Sequence, residues 1–279
     1  MKRALTIVLA SVGMATAVPA SATVVGGIQF ADIGGGTHIE TATLAETYVD
    51  APGQTLSGYG YVTTVNGDSS YCASSPCSLY YYFTDYTVKA FNGTEVTFTG
   101  GTIDMYYSSL SPINLLGQSS ADNVLAIQGM TPWVQFTGHT FYDPTFNLGG
   151  SFDGLQTLDG HGQLTGTSLS ENGAGLADVN TDGTFGLGYV ADYLNGNSEG
   201  DGLGGFADVT ITASSNNSVL NSFDDISTCR TGQPTPGAWC LQGTLNTRGQ
   251  TVPEPGTLAL MGLALFGLFG AGGLRRRWS

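Results

Sequence analysis

Glu95-Val96-Thr97-Phe98-Thr99-Gly100-Gly101-Thr102-Ile103-Asp104-Met105-Tyr106-Tyr107 alternates apolar and polar side chains, first with Val96 and Phe98 apolar, then with Ile103, Met105 and Tyr107. A period of two places successive side chains on opposite faces, which is the pattern of a half-buried β-strand. The phase flips across Gly100-Gly101, so the pair marks either a two-residue hairpin turn or a bulge inside one longer strand. The same alternation runs through Tyr82 to Ala90, Phe185 to Tyr189, Ala207 to Thr212 and Trp239 to Leu245, and no internal segment has the pattern of a long amphipathic helix. The expected fold is all-β, an antiparallel β-sandwich or a similar closed β structure.

Glycine punctuates these runs. The 42 glycines among 279 residues are about twice the usual share of roughly 7 %, as many short strands and tight turns require. Gly149 to Gly205 is richest in Gly, Asn and Asp and reads as long loops or small hairpins, while Gln242 to Thr251 reads as a last strand followed by a spacer. No clean linker and no fixed-period repeat divides the chain.

The two ends have a different character from the body. Lys2 and Arg3 precede the apolar run Ala4 to Val12, and Ala20-Ser21-Ala22 supplies an A-x-A cleavage site at Ala20 and Ala22, so residues 1–22 read as a secretory signal helix and the exported body as 23–252. At the other end, Pro253-Glu254-Pro255 breaks regular structure. The 18 uncharged residues from Thr257 to Leu274 are close to the minimum that crosses a bilayer, and Arg275, Arg276 and Arg277 favour a cytoplasmic C-terminus.

Five of the eight basic residues lie in these ends. The body keeps Lys89, Arg230 and Arg248 against 21 of the 22 carboxylates, a balance of about −18. Such a surface repels nucleic acid and anionic polymers unless a divalent cation bridges them.

Four cysteines in an exported chain without C-x-x-C read as structural disulfides. Three pairings are open, and sequence proximity favours Cys72 with Cys77 and Cys229 with Cys240. Asp178-Val179-Asn180-Thr181-Asp182-Gly183 matches the opening of a calcium loop, with Asp178, Asn180 and Asp182 as ligands and Asp192, Glu199 or Asp201 to complete them. Position twelve is Tyr189 rather than glutamate, which excludes an EF-hand, and an Asn/Asp/Gly β-turn gives the same letters.

His38, His139 and His161 are scattered, and neither H-E-x-x-H, G-x-S-x-G nor a P-loop occurs, so the chain reads as a non-enzyme. A glycosidase carboxylate pair leaves no fixed spacing to find. Tyr80 to Phe83, Tyr106-Tyr107, Trp133 and Trp239 offer flat faces for sugar rings, although alternation assigns about half of the tyrosines to a core.

The order Pro253-Glu254-Pro255, apolar helix 257–274 and arginine cluster 275–277 resembles the PEP-CTERM sorting signal of Gram-negative bacteria that secrete extracellular polysaccharide. The resemblance covers Val252 to Arg277. It implies recognition by exosortase, a membrane-embedded cysteine enzyme, after transient anchoring in the inner membrane, and release to the cell surface or extracellular matrix. The body, through its glycine-punctuated strands and the segment Ala177 to Asn180, resembles flocculation-associated PEP-CTERM proteins. That resemblance implies a non-enzymatic matrix protein associated with extracellular polysaccharide in floc or biofilm formation. Two alternatives are a secreted polysaccharide hydrolase or lyase and a carbohydrate-binding module.

Overall fold

In the computed structural model Glu95–Ser108 is one continuous strand: Gly100 and Gly101 change its phase with φ of +73° and +97°, and the pairing with Ser78–Phe91 keeps its register across them, so the pair forms neither a hairpin turn nor a bulge. Residues 22–31, 33–91, 95–142, 151–153, 155–158, 170–216, 219–225, 227, 229 and 235–252 are described. Apart from Ala22, the expected signal helix over 1–22 lies outside these residues, as does the expected membrane helix over 257–274. Among the described residues no helix is long and apolar enough to cross a membrane.

The elements follow in chain order as β1 (Thr23–Val25), β2 (Ile28–Phe30), β3 (Gly36–Thr47), β4 (Thr55–Val65), β5 (Ser78–Phe91), β6 (Glu95–Ser108), α1 (Ser120–Gln128), β7 (Thr131–Gly138) and β8 (Thr140–Tyr142). They continue as β9 (Ser151–Asp153), β10 (Leu155–Leu158), β11 (Ser170–Val179), α2 (Gly188–Leu194), β12 (Glu199–Gly200), β13 (Phe206–Ala207), β14 (Val209–Asn216) and β15 (Trp239–Gln250). Strands β3 to β7 pair in sequence, β7 pairs with β11, β11 with β14, β14 with β15, and β15 returns to β3, all antiparallel. Of the two expected architectures, the closed one forms. The ring is an eight-position barrel, not two facing sheets, and among the described residues it leaves no free sheet edge around its circumference.

An eight-stranded barrel is just wide enough for its own side chains to fill. Ile39, Val62, Tyr81, Phe83, Ile103, Met105, Phe136, Ile211 and Leu245 are buried, and the voids beside them measure about 10 Å³ each. The interior is therefore a packed core and not a channel. Thr41 Oγ1 lies 3.3 Å from Tyr81 Oη and accepts the Leu245 amide at 2.8 Å, which satisfies polar atoms inside it.

The phase flips explain how two long strands stay in register with this core. On β6 the buried set changes from Val96 and Phe98 to Ile103 and Met105, and on β5 from Tyr81 and Phe83 to Tyr86 and Val88. Asp85, at φ +63°, marks the β5 change directly beside Gly100-Gly101, so the two strands change phase together and their register is kept. A Cβ on Gly101 would lie 2.4 Å from the Tyr86 ring, so that position admits no side chain.

A second apolar layer covers part of the barrel's outer face. Tyr59, Tyr80 and Tyr106 are buried there with Leu115 and with Ile127 of α1. The alternation over Phe185 to Tyr189 does not form a strand: Gly188 and Tyr189 open the helix α2, and α1, which spans only 9 residues, carries no periodic pattern long enough to read. Ser119 caps α1 by accepting the Asp122 amide. Tyr59 Oη is the hub beneath the helix. It lies 2.9 Å from Ser120 Oγ, and Asn123 and Asn221 donate to it at 2.8 and 3.4 Å. Asp224 accepts from the Ser120 amide at 2.8 Å and from its hydroxyl.

Tyr59→Phe removes this shared oxygen and leaves buried amide donors unpaired. The expected cost is about 1–3 kcal/mol in denaturant unfolding, with the barrel's far-UV circular dichroism retained.

Candidate functional site

One barrel position is not a single strand. Between β6 and β11 it is filled by β7 at one end and β10 at the other: Gly138 stands opposite Ala177, and Leu155 opposite Gly175. In the gap the chain leaves the wall as the β8–β9 hairpin. His139 is the first residue of this excursion, and its amide donates to Leu176 O at 2.9 Å, holding the break against β11.

The His139 ring bridges two carboxylates. Nδ1 lies 2.7 Å from Asp178 Oδ2, and Nε2 lies 3.3 Å from Asp201 Oδ2. Asp178 comes from β11, while Asp201 comes from the glycine loop between β12 and β13. The Asp201 carboxylate also accepts the Leu203 and Gly205 amides at 2.7 and 2.9 Å, in a loop that Gly202 and Gly204 turn with φ of +72° and +103°. Close by, Asp208 is 2 % exposed and accepts the Val179 and Asn197 amides, each at 2.8 Å.

The charges follow from these partners. Burial alone would lower the His139 pKa, but the hydrogen bonds and charges of Asp178 and Asp201 outweigh it and hold the imidazole above its usual value. The Leu203 amide, then the Gly205 amide and His139, hold Asp201 below the usual carboxylate range. Burial pushes Asp208 up, against the pull of its two amides. With both ring nitrogens occupied, His139 ties three chain segments together; it has no free nitrogen to offer a reacting group.

Beside this bridge a cleft of about 540 Å³ opens on the barrel's outer face. Its floor is made by β11, β14 and β15, and its sides by Tyr142 of β8 and Asp201. The Tyr142 amide donates to Asp201 O at 2.9 Å, so the bridge and the cleft wall share one loop.

The three calcium-loop residues are committed to protein partners. Asp178 faces His139, Asn180 Nδ2 donates to Gln135 Oε1 at 2.6 Å, and Asp182 accepts the Thr184 amide and hydroxyl at 2.8 and 2.6 Å. Asn180 Oδ1 accepts the Asp182 amide at 2.9 Å, so the segment folds as successive Asx turns. Among the described residues no three His, Cys, Asp or Glu side chains converge as a cation cage.

The aromatic residues singled out in the sequence lie mostly inside. Tyr80, Tyr81, Phe83, Tyr106 and Trp133 are buried, and Trp239 packs edge-on to Tyr59 at 5.3 Å. Tyr142, at 45 % exposure, was not singled out, nor was His139. Both disulfides, Cys72–Cys77 and Cys229–Cys240, are formed. His161, Ala20, Pro253, Glu254, Pro255 and Arg275 to Arg277 lie outside the described residues, and Ala22 sits directly before β1.

Just ahead of the Pro-Glu-Pro, the chain is still bound to the barrel: the Thr251 amide donates to Gly35 O at 2.8 Å and the Val252 amide to Tyr193 O at 2.9 Å. The PEP-CTERM protein-sorting motif matches residues 251–277. No curated protein and no solved structure matches the chain. The motif marks an exported surface protein that is anchored transiently at the membrane and processed by exosortase.

A raised His139 pKa makes a stability contribution that is complete below the unfolded value of about 6.5 and is lost as pH rises through the folded value. The buried Asp208, also raised, loses its contribution lower, as pH climbs through the acid range. Wild-type Tm is expected to fall as pH rises above the unfolded value of about 6.5. His139→Asn should flatten that slope in scanning calorimetry while leaving the acid-side dependence in place.

Proposed function

We propose that this chain is a non-enzymatic matrix protein: a packed β-barrel displayed outside the cell and associated with extracellular polysaccharide in floc or biofilm formation. The observation that carries the reading is the sorting motif at 251–277, which begins where the last barrel strand ends. A cut at or beyond Pro253 removes none of the pairings that close the barrel, because β15 ends at Gln250 and the last described hydrogen bonds are those of Thr251 and Val252. Processing can therefore release a finished fold.

Three further features support the reading. The body is acidic and poor in cations, which suits a hydrated neutral matrix better than nucleic acid, an anionic polymer or an anionic lipid surface. Two short-loop disulfides suit an oxidising compartment. The cluster of His139 with Asp178 and Asp201 is saturated by its own hydrogen bonds, as in a structural bridge.

Glu254→Ala, or deletion of Arg275 to Arg277, is expected to leave the protein in the inner membrane when cell fractions are immunoblotted. Wild type is expected to co-fractionate with the matrix polysaccharide and to release no reducing sugar from it. Unaltered release of both variants would remove exosortase from the account. Release of oligosaccharide by wild type would replace the matrix role with a hydrolase.

A further inference from the structure

We infer that the cleft between the β8 wall and the outer face of β11, β14 and β15 binds an uncharged pyranose ring of a polysaccharide chain; the inference rests on the polysaccharide association proposed above. The cleft, at about 540 Å³, falls within the roughly 300–1,000 Å³ of small-molecule sites. It also has the mixed lining such sites use. Phe141 and Leu176 give apolar surface, Tyr142 is an aromatic residue left 45 % exposed, and Thr210, Asp201 and Arg248 add polar groups.

The polar set selects among ligands. Arg248 on β15 is exposed and, among the described residues, forms no ion pair, which leaves its guanidinium donors for hydroxyl oxygens. Thr212, also lining the cleft, is exposed on the same face of the sheet. Asp201 stands on the opposite side from these donors as a fixed negative charge, its carboxylate already held by the Leu203 and Gly205 amides and by His139. A ligand that meets a fixed cation, a fixed anion and threonine hydroxyls in one cleft needs donors and acceptors of its own, together with a flat apolar face. A pyranose has both. A polyanion would meet Asp201, with Asp178 and Asp208 behind it, on a body of net charge near −18. A purely apolar ligand would bury the Arg248 guanidinium without a partner.

The location follows from the fold. The barrel wall is interrupted at His139, and the chain diverted there supplies Tyr142, so a shallow sheet face gains a side wall. The His139 bridge fixes the Asp201 loop that forms the other rim, which makes the cleft a pre-formed site.

The test titrates the full chain, in detergent, with linear neutral hexasaccharides of glucose, mannose and galactose, and with an oligogalacturonate, by isothermal calorimetry. At least one neutral probe is expected to bind. Tyr142→Ala and Arg248→Ala should each weaken it tenfold or more without moving Tm, while Tyr142→Phe, which keeps the ring, should retain affinity. Binding unchanged in both alanine variants, binding of oligogalacturonate alone, or binding of no probe by a wild type that still co-fractionates with matrix polysaccharide, overturns the cleft assignment and leaves the matrix role standing. A wild type that binds no probe and washes free of the matrix overturns both.

Discussion

Closure of the sheet is the constraint on which everything else in this protein depends. Once β15 pairs back to β3 and β7 meets β11, no edge remains around the circumference to recruit another chain, and the interior dimension is fixed by the number of strand positions. That dimension dictates the core. It admits side chains from every strand and nothing larger, so the long strands β5 and β6 must keep an apolar side chain facing inward along their whole length. They do so only by changing phase, at Asp85 on one strand and at Gly100-Gly101 on the other. The ring of Tyr86 occupies the space beside Gly101, which couples the phase change to the packing it permits.

The same closure gives the molecule its candidate site. Seven positions of the ring are single strands; the eighth is shared by β7 and β10, and the chain between them leaves the wall. At an interruption of this kind polar backbone is exposed beside the core and must be satisfied. His139 does this through its amide to Leu176, and its side chain fastens β11 to the glycine loop through two carboxylates. A cleft beside that break is a consequence of how the barrel closes. The tail stands apart from it: all barrel pairing is complete by Gln250, immediately before Pro253.

Much of this was legible in the residues. Alternation identified most of the strands but failed at Phe185 to Tyr189, which leads into the helix α2, and the Gly100-Gly101 phase flip located a real discontinuity that is neither turn nor bulge, because Asp85 makes the matching change on the partner strand and the register is kept. Short cysteine spacing pointed to the two disulfides that form. Tyr80 and Tyr81 do face opposite sides of the sheet, yet both are buried, because α1 covers the outer face; a helix of nine residues with a weak apolar stripe left no periodic signal to read. The letters around Asp178 matched a calcium loop because Asx turns and cation loops use the same short oxygen side chains. The His139 bridge was invisible for a different reason: its partners lie 39 and 62 residues away, on a strand and a loop that only the barrel register brings together.

The most direct test of a barrel completed before its sorting tail and then processed is the intact mass of the native protein in each cell fraction. The account predicts an extracellular species that begins at Thr23 and ends near Val252, with both disulfides closed. A chain that runs to Ser279 and is confined to the inner membrane would contradict it.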